Sequence, residues 1–361
     1  MTSKSLWPAL IVVSQFVCSA AIPGRAQDVQ PADNQSFTWE EAEWFGEPNA
    51  VLLPTASDQP TSLAEYAGME LGPTLGHDIG YCVGPHGGGI GSEWLDHAPF
   101  EIERAKPLSS FRVRFDAAYE QEFPDRAEFF WGRIGGRGPA AAETGVDYQD
   151  FRFRTELGSD KFSVATEIPL RVLDPEQNAN TAGLGDMSLT TKTVLFEGEQ
   201  WLITQIFKSH FNTGAPSHGL STGHISLEPG VLFRYKWSDS TYLHSDLTYW
   251  FPLGGDPNHS GQVIRYGFGL SHIYYDSDAF AIIPTLEFVS WWVMDGQQTT
   301  TAGATQEIDG QGILNIYPGV RFLFDTSRDC SVWDLGISGG VAVTDDHWYQ
   351  GLLRADIRWK W

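Results

Sequence analysis

Basic residues recur at every second position in several stretches of this 361-residue chain. Arg112 and Arg114 alternate with apolar residues, and Arg152 and Arg154 repeat the pattern. A period of two puts such side chains on one face of a β-strand. In a closed barrel, that face would surround the interior with guanidinium groups, and rings of basic groups attract anions. The chemistry that these residues predict is electrostatic selection of solutes.

The residues expected to line such an interior share the polar parity of their strands. They are Arg112, Arg114, Arg152, Arg154, Lys192, Arg234, Lys236, Arg265, Glu287, Arg321, Arg354 and Arg358. Acidic residues such as Asp116, Glu156 and Asp356 have the same parity. Two interpretations are therefore open. The basic excess selects anions, or the charges pair into a salt-bridged plug that holds the barrel in shape.

A second pattern points to different chemistry. Residues 219–223 read Gly-Leu-Ser-Thr-Gly, which matches the Gly-x-Ser-x-Gly motif of serine hydrolases, and His210, His218 and His224 are near in sequence. That motif needs a strand before the serine and a helix after it, which together expose the nucleophile on a strained turn. Here a loop precedes Ser221 and an alternating strand follows it, so we expect no enzyme. A lipid hydrolase with Ser221 as nucleophile is the alternative.

The element that most clearly positions the basic face is the last stretch, 347–361. Every second residue from Tyr349 to Trp361 is apolar or small, and most residues between them are polar. Trp359 and Trp361 end the apolar face, which suits the aromatic girdle of a lipid-facing barrel strand. A terminal aromatic residue also resembles the C-terminal signature of bacterial outer-membrane barrels.

The same alternation starts at Leu108 and predicts twelve strands. They cover about 111–117, 151–157, 161–170, 184–196, 200–211, 223–237, 240–253, 261–276, 279–294, 311–325, 331–344 and 347–361. Long and short connections alternate along the chain, as expected for a barrel whose two ends of the chain are both periplasmic. Pro229, Pro284 and Pro318 fall inside predicted strands, and we interpret them as β-bulges.

The region before the barrel has a different composition. Residues 1–26 have the features of a secretory signal peptide, with Lys4, an apolar run and small residues up to Ala26. Residues 27–107 form an acidic extension rich in Pro and Gly, expected in the periplasm. The chain has 23 basic and 46 acidic residues, and its formal net charge of −23 disfavours nucleic acid as a partner.

The cysteines and histidines imply no cofactor. Cys18 would leave with the signal peptide, so Cys82 and Cys330 are a candidate disulfide in an oxidising compartment, with two free thiols as the alternative. Four residues before the barrel are of types that bind metal ions, but their spacings match no zinc pattern, so no metal site is expected. They are His77, Cys82, His86 and His97.

Four sets of residues in the barrel region form a recognisable combination. They are 183–186 (Gly-Leu-Gly-Asp), 212–214 (Asn-Thr-Gly), 221–223 (Ser-Thr-Gly) and the Pro-Gly-Val triplets at 229–231 and 318–320. This combination resembles the outer-membrane family named after the meta-pathway of phenol degradation, over roughly 108–361. The resemblance implies a passive, porin-like channel, in a family that includes members linked to uptake of aromatic compounds.

The sequence therefore predicts an all-β fold, a twelve-stranded antiparallel transmembrane β-barrel over 108–361 preceded by a mostly irregular periplasmic extension. We expect a passive channel for small solutes, anionic or aromatic compounds among them, surrounded by outer-membrane lipid. Twelve strands predict a narrow or partly plugged pore. The alternatives are the lipid hydrolase using Ser221 and a structural or adhesive surface barrel, and the sequence does not specify an oligomeric state.

Overall fold

The structure is a computed structural model, and it describes residues 89–121, 138–256, 259–300, 302–325, 331–345 and 349–361. The strands in these ranges are β1 (Ser110–Gln121), β2 (Val146–Gly158), β3 (Phe162–Pro175), β4 (Thr181–Leu184), β5 (Ser188–Glu197), β6 (Trp201–His210), β7 (Ile225–Ser238), β8 (Thr241–Leu253), β9 (Gln262–His272), β10 (Tyr275–Asp276), β11 (Phe280–Asp295), β12 (Gln297–Thr299), β13 (Thr305–Glu307), β14 (Gly312–Asp325), β15 (Val332–Ala342) and β16 (Gly351–Lys360). The helical elements are α1 (Ile90–Trp94) and two 3-10 turns, Leu95–His97 and Pro216–His218. Within the described ranges, no helix has the length and apolar character needed to cross a membrane.

Twelve of the strands close into an antiparallel barrel, which confirms the predicted fold class. The order around the ring is β1, β2, β3, β5, β6, β7, β8, β9, β11, β14, β15 and β16. Pairing of β1 with β16, from Ser110↔Lys360 to Tyr119↔Gly351, closes the ring. The short strands β4 and β10 pair with β3 and β11, and β12 forms a separate hairpin with β13.

Side chains alternate between the interior and the exterior of the barrel, as the period of two predicts. In β16, Arg354 and Arg358 are buried, whereas Ile357 is 48% and Trp359 37% exposed. Large apolar side chains are exposed on every one of the twelve barrel strands. A continuous apolar exterior of this kind is far larger than the apolar patches that soluble monomers expose.

The connections differ in length at the two ends of the barrel. At the end where β1 begins and β16 ends, called here the terminal end, residues 159–161, 198–200 and 239–240 join neighbouring strands. At the opposite end, called here the loop end, the connections are much longer, as in 122–145 and 211–224. The predicted alternation of short and long connections is therefore confirmed.

The interpretation of the prolines as β-bulges in their own strands is wrong for Pro229 and Pro318, and at Pro284 an irregularity is present but lies in the partner segment. The register of both neighbouring ladders is unchanged on either side of Pro229 and Pro318. At Pro284 the ladder with β14 is unchanged, but pairing on the other side shifts by one residue between Ser271↔Thr285 and Tyr275↔Ile282. The extra residue lies in the partner segment 272–274. Each proline lies where one neighbouring ladder is interrupted or has not yet begun: β7–β8 pairing skips 228–229, β14–β15 pairing skips 317–318, and β9–β11 pairing begins at Thr285. The missing N–H is therefore tolerated without an inserted residue in the strand that contains the proline.

Residues 89–107 lie inside the barrel and are called the plug. The plug starts at the terminal end, where the Gly91 N–H donates to Asp276 Oδ1, and it returns to that end to enter β1. Trp94, Phe100 and Ile102 of the plug are buried. These residues belong to the extension predicted before the barrel, and their position inside it differs from that prediction.

Candidate functional site

Glu287 on β11 holds the centre of the plug by its backbone. Its carboxylate accepts hydrogen bonds from three successive N–H groups, those of Phe100 at 2.6 Å, Glu101 at 2.9 Å and Ile102 at 2.7 Å. Buried backbone donors need such partners, because an unpaired donor costs about 1–3 kcal/mol. One inward carboxylate therefore fixes the position of three plug residues, which accounts for an acid among the predicted basic lining.

Arg321 on β14 holds the adjoining plug residues by their carbonyl groups. Its guanidinium donates to the carbonyl oxygens of Ala98 and Pro99. The same group forms ion pairs with Asp334 and Asp356, at 2.9 Å in each case, and all three side chains are fully buried. The five donors of a guanidinium allow one arginine to join the plug to two wall carboxylates.

Glycines on the barrel wall make room for the apolar side chains of the plug. A Cβ added at Gly319 or Gly336 would lie 2.6 or 2.5 Å from the ring of Phe100, which is closer than real side-chain contacts. The Arg321 guanidinium lies 3.9 Å from the centroid of that ring. Two glycines on β9 leave room for Ile102 in the same way. The inward faces of these strands are therefore shaped to the plug.

The side chain of Glu101 in the plug binds two arginines of the wall. Its carboxylate accepts a hydrogen bond from Arg354 on β16 and lies 3.6 Å from the guanidinium of Arg265 on β9. Burial alone would raise the pKa of Glu101, but attraction to Arg354, Arg114 and Arg265 holds that pKa well below its ordinary value. Glu101 is therefore a half-buried carboxylate anion at neutral pH.

Glu103 makes a second interaction of the same kind. Its two carboxylate oxygens accept hydrogen bonds from the two terminal nitrogens of Arg154, at 3.0 and 3.1 Å, and Lys192 Nζ lies 2.8 Å away. Burial opposes ionisation of Glu103, yet Arg154 and Lys192 hold its pKa well below the ordinary range. The paired N–H···O bonds are the fork geometry that arginine forms with a planar carboxylate.

A cavity of about 190 Å³ lies between the plug and the loop end of the barrel. Its lining includes the basic residues Arg114, Arg152 and Lys208 and the aromatic residues Trp250 and Trp291. In total, the lining contains nine arginine or lysine residues and six aspartate or glutamate residues. The lining thus has more basic than acidic side chains, although Asp356, Asp150 and Asp246 lie just outside it and pair with Arg112, Arg152 and Arg265. The low dielectric constant of the interior strengthens the field of each of these groups.

Arg114 directs part of its charge into this cavity. Its Nε lies 2.9 Å from Asp116, while its two terminal nitrogens donate no hydrogen bond to another residue in the described part of the chain. Arg152 is directly opposite Arg114 in the β1–β2 ladder and pairs with Asp150 at 2.9 Å. Like charges that face each other repel, so an anion bound between them would be stabilised.

Most of the residues that the sequence predicts in the interior form ion pairs with acidic side chains. The pairs are Arg112–Asp356, Arg114–Asp116, Arg152–Asp150, Arg154–Glu103, Lys192–Glu103, Arg234–Asp96, Arg265–Asp246, Arg321–Asp334, Arg354–Asp116 and Arg358–Asp334. Lys236 lies near the terminal end and pairs with Asp239, whose side chain is 96% exposed. The salt-bridged interpretation thus describes much of the interior.

The predicted residues divide into two groups by their relation to the cavity. Those that line it are Arg112, Arg114, Arg152, Arg154, Arg265 and Arg354. The others lie elsewhere: Lys192, Arg234, Lys236, Glu287, Arg321 and Arg358. Sequence reasoning missed the plug partners Asp96, Glu101 and Glu103, because they lie in a segment without strand periodicity. Solute contact by any of these residues stays a prediction.

Ser221 has a structural use in a loop-end turn. It is buried, its hydroxyl donates to Asn212 Oδ1 at 2.7 Å, and it accepts from the N–H of Gly223 at 3.0 Å. Nδ1 of His224 contacts the carbonyl oxygen of Thr222, at 3.2 Å. Strand β7 follows the motif, so the strand–turn–helix elbow of serine hydrolases is not formed here.

Several predictions concern residues outside the described ranges. They are the signal peptide over 1–26, the candidate disulfide of Cys82 and Cys330, and the histidines at 77 and 86. Each of these stays a prediction. The fourth residue of the metal-like set, His97, is described: it is buried in the plug, with its ring 5.7 Å from that of Trp94.

No protein-family model and no curated protein matches the sequence. Among solved structures, the chain is similar to an outer membrane channel from Pseudomonas putida F1, at 11% identity, 72% of this chain, 97% of that chain and a TM-score of 0.46. It is also similar to the NanC porin, at 8% identity, 70% and 98% coverage and a TM-score of 0.41. A KdgM porin in complex with disordered oligogalacturonate matches at 10% identity, 70% and 99% coverage and a TM-score of 0.36.

Proposed function

We propose that this protein is a passive outer-membrane channel for small solutes and that it prefers anions. The observation that carries the proposal is the combination of an apolar exterior with a cavity inside one closed barrel whose lining has more basic than acidic side chains. A closed barrel pairs its backbone groups between strands, which is a requirement for any β-structure in lipid. An exterior with large apolar side chains on every barrel strand fits a lipid-facing band.

Aromatic side chains at both ends of the barrel support the membrane location. Trp237 and Trp359 are exposed near the terminal end, and Tyr119 and Trp292 are exposed near the loop end. Two such rows fit the aromatic girdles at the two interfaces of a membrane. We infer that the terminal end, with its short turns, faces the periplasm, and that the barrel is related to the meta-pathway family through the motifs of 183–237.

Selection of anions follows from the charges of the cavity lining. Arginine and lysine exceed aspartate and glutamate there by nine to six, although the whole chain has a net charge of −23. Basic side chains are thus the majority of the charged groups that a passing solute would contact, and rings of basic groups favour anions in pores. Trp250 and Trp291 add apolar surface to the same cavity, which is compatible with solutes that have an apolar part.

Reversal potentials in planar bilayers test this function. Under a KCl gradient, purified wild-type protein should pass ions with a reversal potential on the anion side. Arg114→Glu should shift the potential towards cations, because it reverses a charge of the cavity lining. Lys161→Glu is the matched control, since Lys161 lies in a terminal-end turn and its side chain is 63% exposed. Absence of any current from folded protein would refute a channel, and an identical potential in all three proteins would refute selection by the cavity.

A further inference from the structure

We propose that the cavity beside the plug is a binding site for small organic carboxylates. When no solute is bound, Glu101 and Glu103 occupy part of that site. This inference rests on the channel function proposed above and names the solute class and the step that competes with it. Three features of the described residues support it: the shared arginines, their geometry and the unused donors of Arg114.

The first feature is that the same arginines contact both the plug carboxylates and the cavity. Arg265 and Arg354, which bind Glu101, also line the cavity. Arg154, which binds Glu103 through two hydrogen bonds, lines it as well. A carboxylate that enters the cavity therefore meets guanidinium groups whose present ligands are carboxylates of the plug. Solute and plug compete for the same donors.

The second feature is the geometry of those contacts, which selects a chemical class. Arg154 binds Glu103 through two parallel N–H···O bonds, and Arg354 binds Asp116 in the same way, at 2.7 and 3.0 Å. A planar, two-oxygen acceptor fits this fork, whereas a spherical halide can use only its charge. The cavity volume of about 190 Å³ limits the ligand to a small molecule.

The third feature is an entry point with unused donors. Arg114, Arg152 and Lys208 keep 13%, 21% and 22% of their side-chain surface exposed. The terminal nitrogens of Arg114 donate no hydrogen bond to another described residue. A solute carboxylate can therefore bind Arg114 first and then compete with Glu101 for Arg354 and Arg265.

Competition couples solute binding to the plug. A solute that takes donors from Glu101 removes a contact that holds the plug, and by reciprocity a weakened plug contact increases the affinity for the solute. Loss of the Glu101 carboxylate should leave the barrel folded, because Arg354 keeps Asp116 and Arg265 keeps Asp246 as partners. The three hydrogen bonds from the plug backbone to Glu287 are also unaffected by such a change.

Calorimetric titration of the purified full-length protein with propionate tests the site, and folding of every variant is checked by heat-modifiable migration. Wild-type protein should bind propionate more tightly than chloride. Glu101→Gln should bind propionate about tenfold more tightly, since a competing carboxylate is gone, and Arg114→Gln should bind it more weakly. Glu93→Gln is the matched control, because Glu93 is an exposed glutamate of the same plug, and it should match the wild type.

The outcomes separate this inference from the channel itself. No propionate binding by the wild type or by Glu101→Gln, in protein that still conducts ions in bilayers, would overturn the carboxylate site and leave the channel standing. Equal affinity of wild type and Glu101→Gln would overturn the competition with the plug. Propionate binding by folded protein that passes no current would support the site and refute the channel.

Discussion

Single residues in the interior of this barrel are informative because a buried charge is tolerated only with a partner. Arg321, Arg354 and Arg358 are among the largest fully buried side chains of the described residues. Removal of one partner from a buried ion pair typically costs about 3–5 kcal/mol, whereas the intact pair adds little net stability. These arginines therefore determine where the plug sits more than how stable the barrel is.

His97 provides a prediction at this scale, since it is a buried histidine surrounded by positive charges. Burial lowers the pKa of His97 well below its ordinary value, and Arg104, Lys360 and Arg358 lower it further. The folded protein therefore keeps His97 neutral, while the unfolded chain gains a proton on it as the pH falls below about 6.5. Stability from this residue is present above that pH and is lost as the pH falls further.

The measurement is the urea midpoint of unfolding between pH 8 and pH 5, for wild type and for His97→Phe. The wild-type midpoint should decrease towards pH 5 more steeply than that of His97→Phe, which keeps an aromatic ring beside Trp94 but cannot be protonated. Glu101 and Glu103 do not interfere, because their lowered pKa values put their loss of stability below that range. Parallel pH dependence in the two proteins would contradict the assignment.

At the scale of elements, the strands have two faces with different tasks. The outward face is apolar, and the inward face combines charges with glycines that leave room for plug side chains. On β15, a Cβ at Gly336 would lie 2.5 Å from the ring of Phe100, whereas a Cβ at Gly339 would meet only the carbonyl oxygen of Leu352, at 3.7 Å. Two glycines of one strand therefore differ in what they accommodate.

Gly336→Val should displace Phe100 and loosen the plug. The added side chain needs the space of the ring, and overpacking of this kind costs about 1–3 kcal/mol. We expect trypsin to cleave after Arg104, which is buried in the wild type, and we expect the bilayer current to increase. Gly339→Val is the control and should resist trypsin as the wild type does. Equal resistance of both variants to trypsin would argue against the role of Gly336 in making room for Phe100.

The strands and their inward faces could be predicted from the sequence, whereas some strand boundaries and the plug could not. Strand positions and the inward parity of residues such as Arg354 follow from a period of two, which depends only on neighbours in the chain. The strand predicted to begin at 184 begins instead at Ser188 as β5, and Leu184 ends the separate short strand β4. Strand β2 begins at Val146, within a predicted loop. The plug could not be predicted, because its position depends on contacts such as Glu101–Arg354 that join distant parts of the chain.

The described part of the barrel and plug consists of three layers around one axis. Lipid-facing apolar side chains form the outer layer, inward charges form the second, and the plug fills part of the centre. The plug contacts side chains on β1, β2, β5, β6, β7, β8, β9, β11, β14 and β16. Contacts on so many strands make the plug part of the barrel interior, so solute passage should require some of them to change.

A disulfide between the plug and the wall tests whether the plug moves during transport. A Cβ added at Gly267 would lie 2.8 Å from Cγ1 of Ile102, which is the position that the sulfur of a cysteine at 102 can take, so the two cysteines are close enough to bond. The same Cβ lies 2.6 Å from Asp246 Oδ1, so that carboxylate must shift. The protein would therefore carry Ile102→Cys and Gly267→Cys, with Cys82 and Cys330 replaced by serine to prevent other pairings. The oxidised protein should pass less propionate current than the reduced protein, because the disulfide fixes the plug in the lumen.

Reduction of the same sample with dithiothreitol should restore the current, and this reversal separates locking from misfolding. Each single cysteine variant is a control and should not respond to the reductant, since neither can form the bond. A propionate current that is equal before and after reduction, in protein whose disulfide is verified by mass spectrometry, would mean that solutes pass beside a stationary plug. In that case Glu101 and Glu103 would act as fixed parts of the pore wall, and the coupling of plug release to solute binding would be refuted.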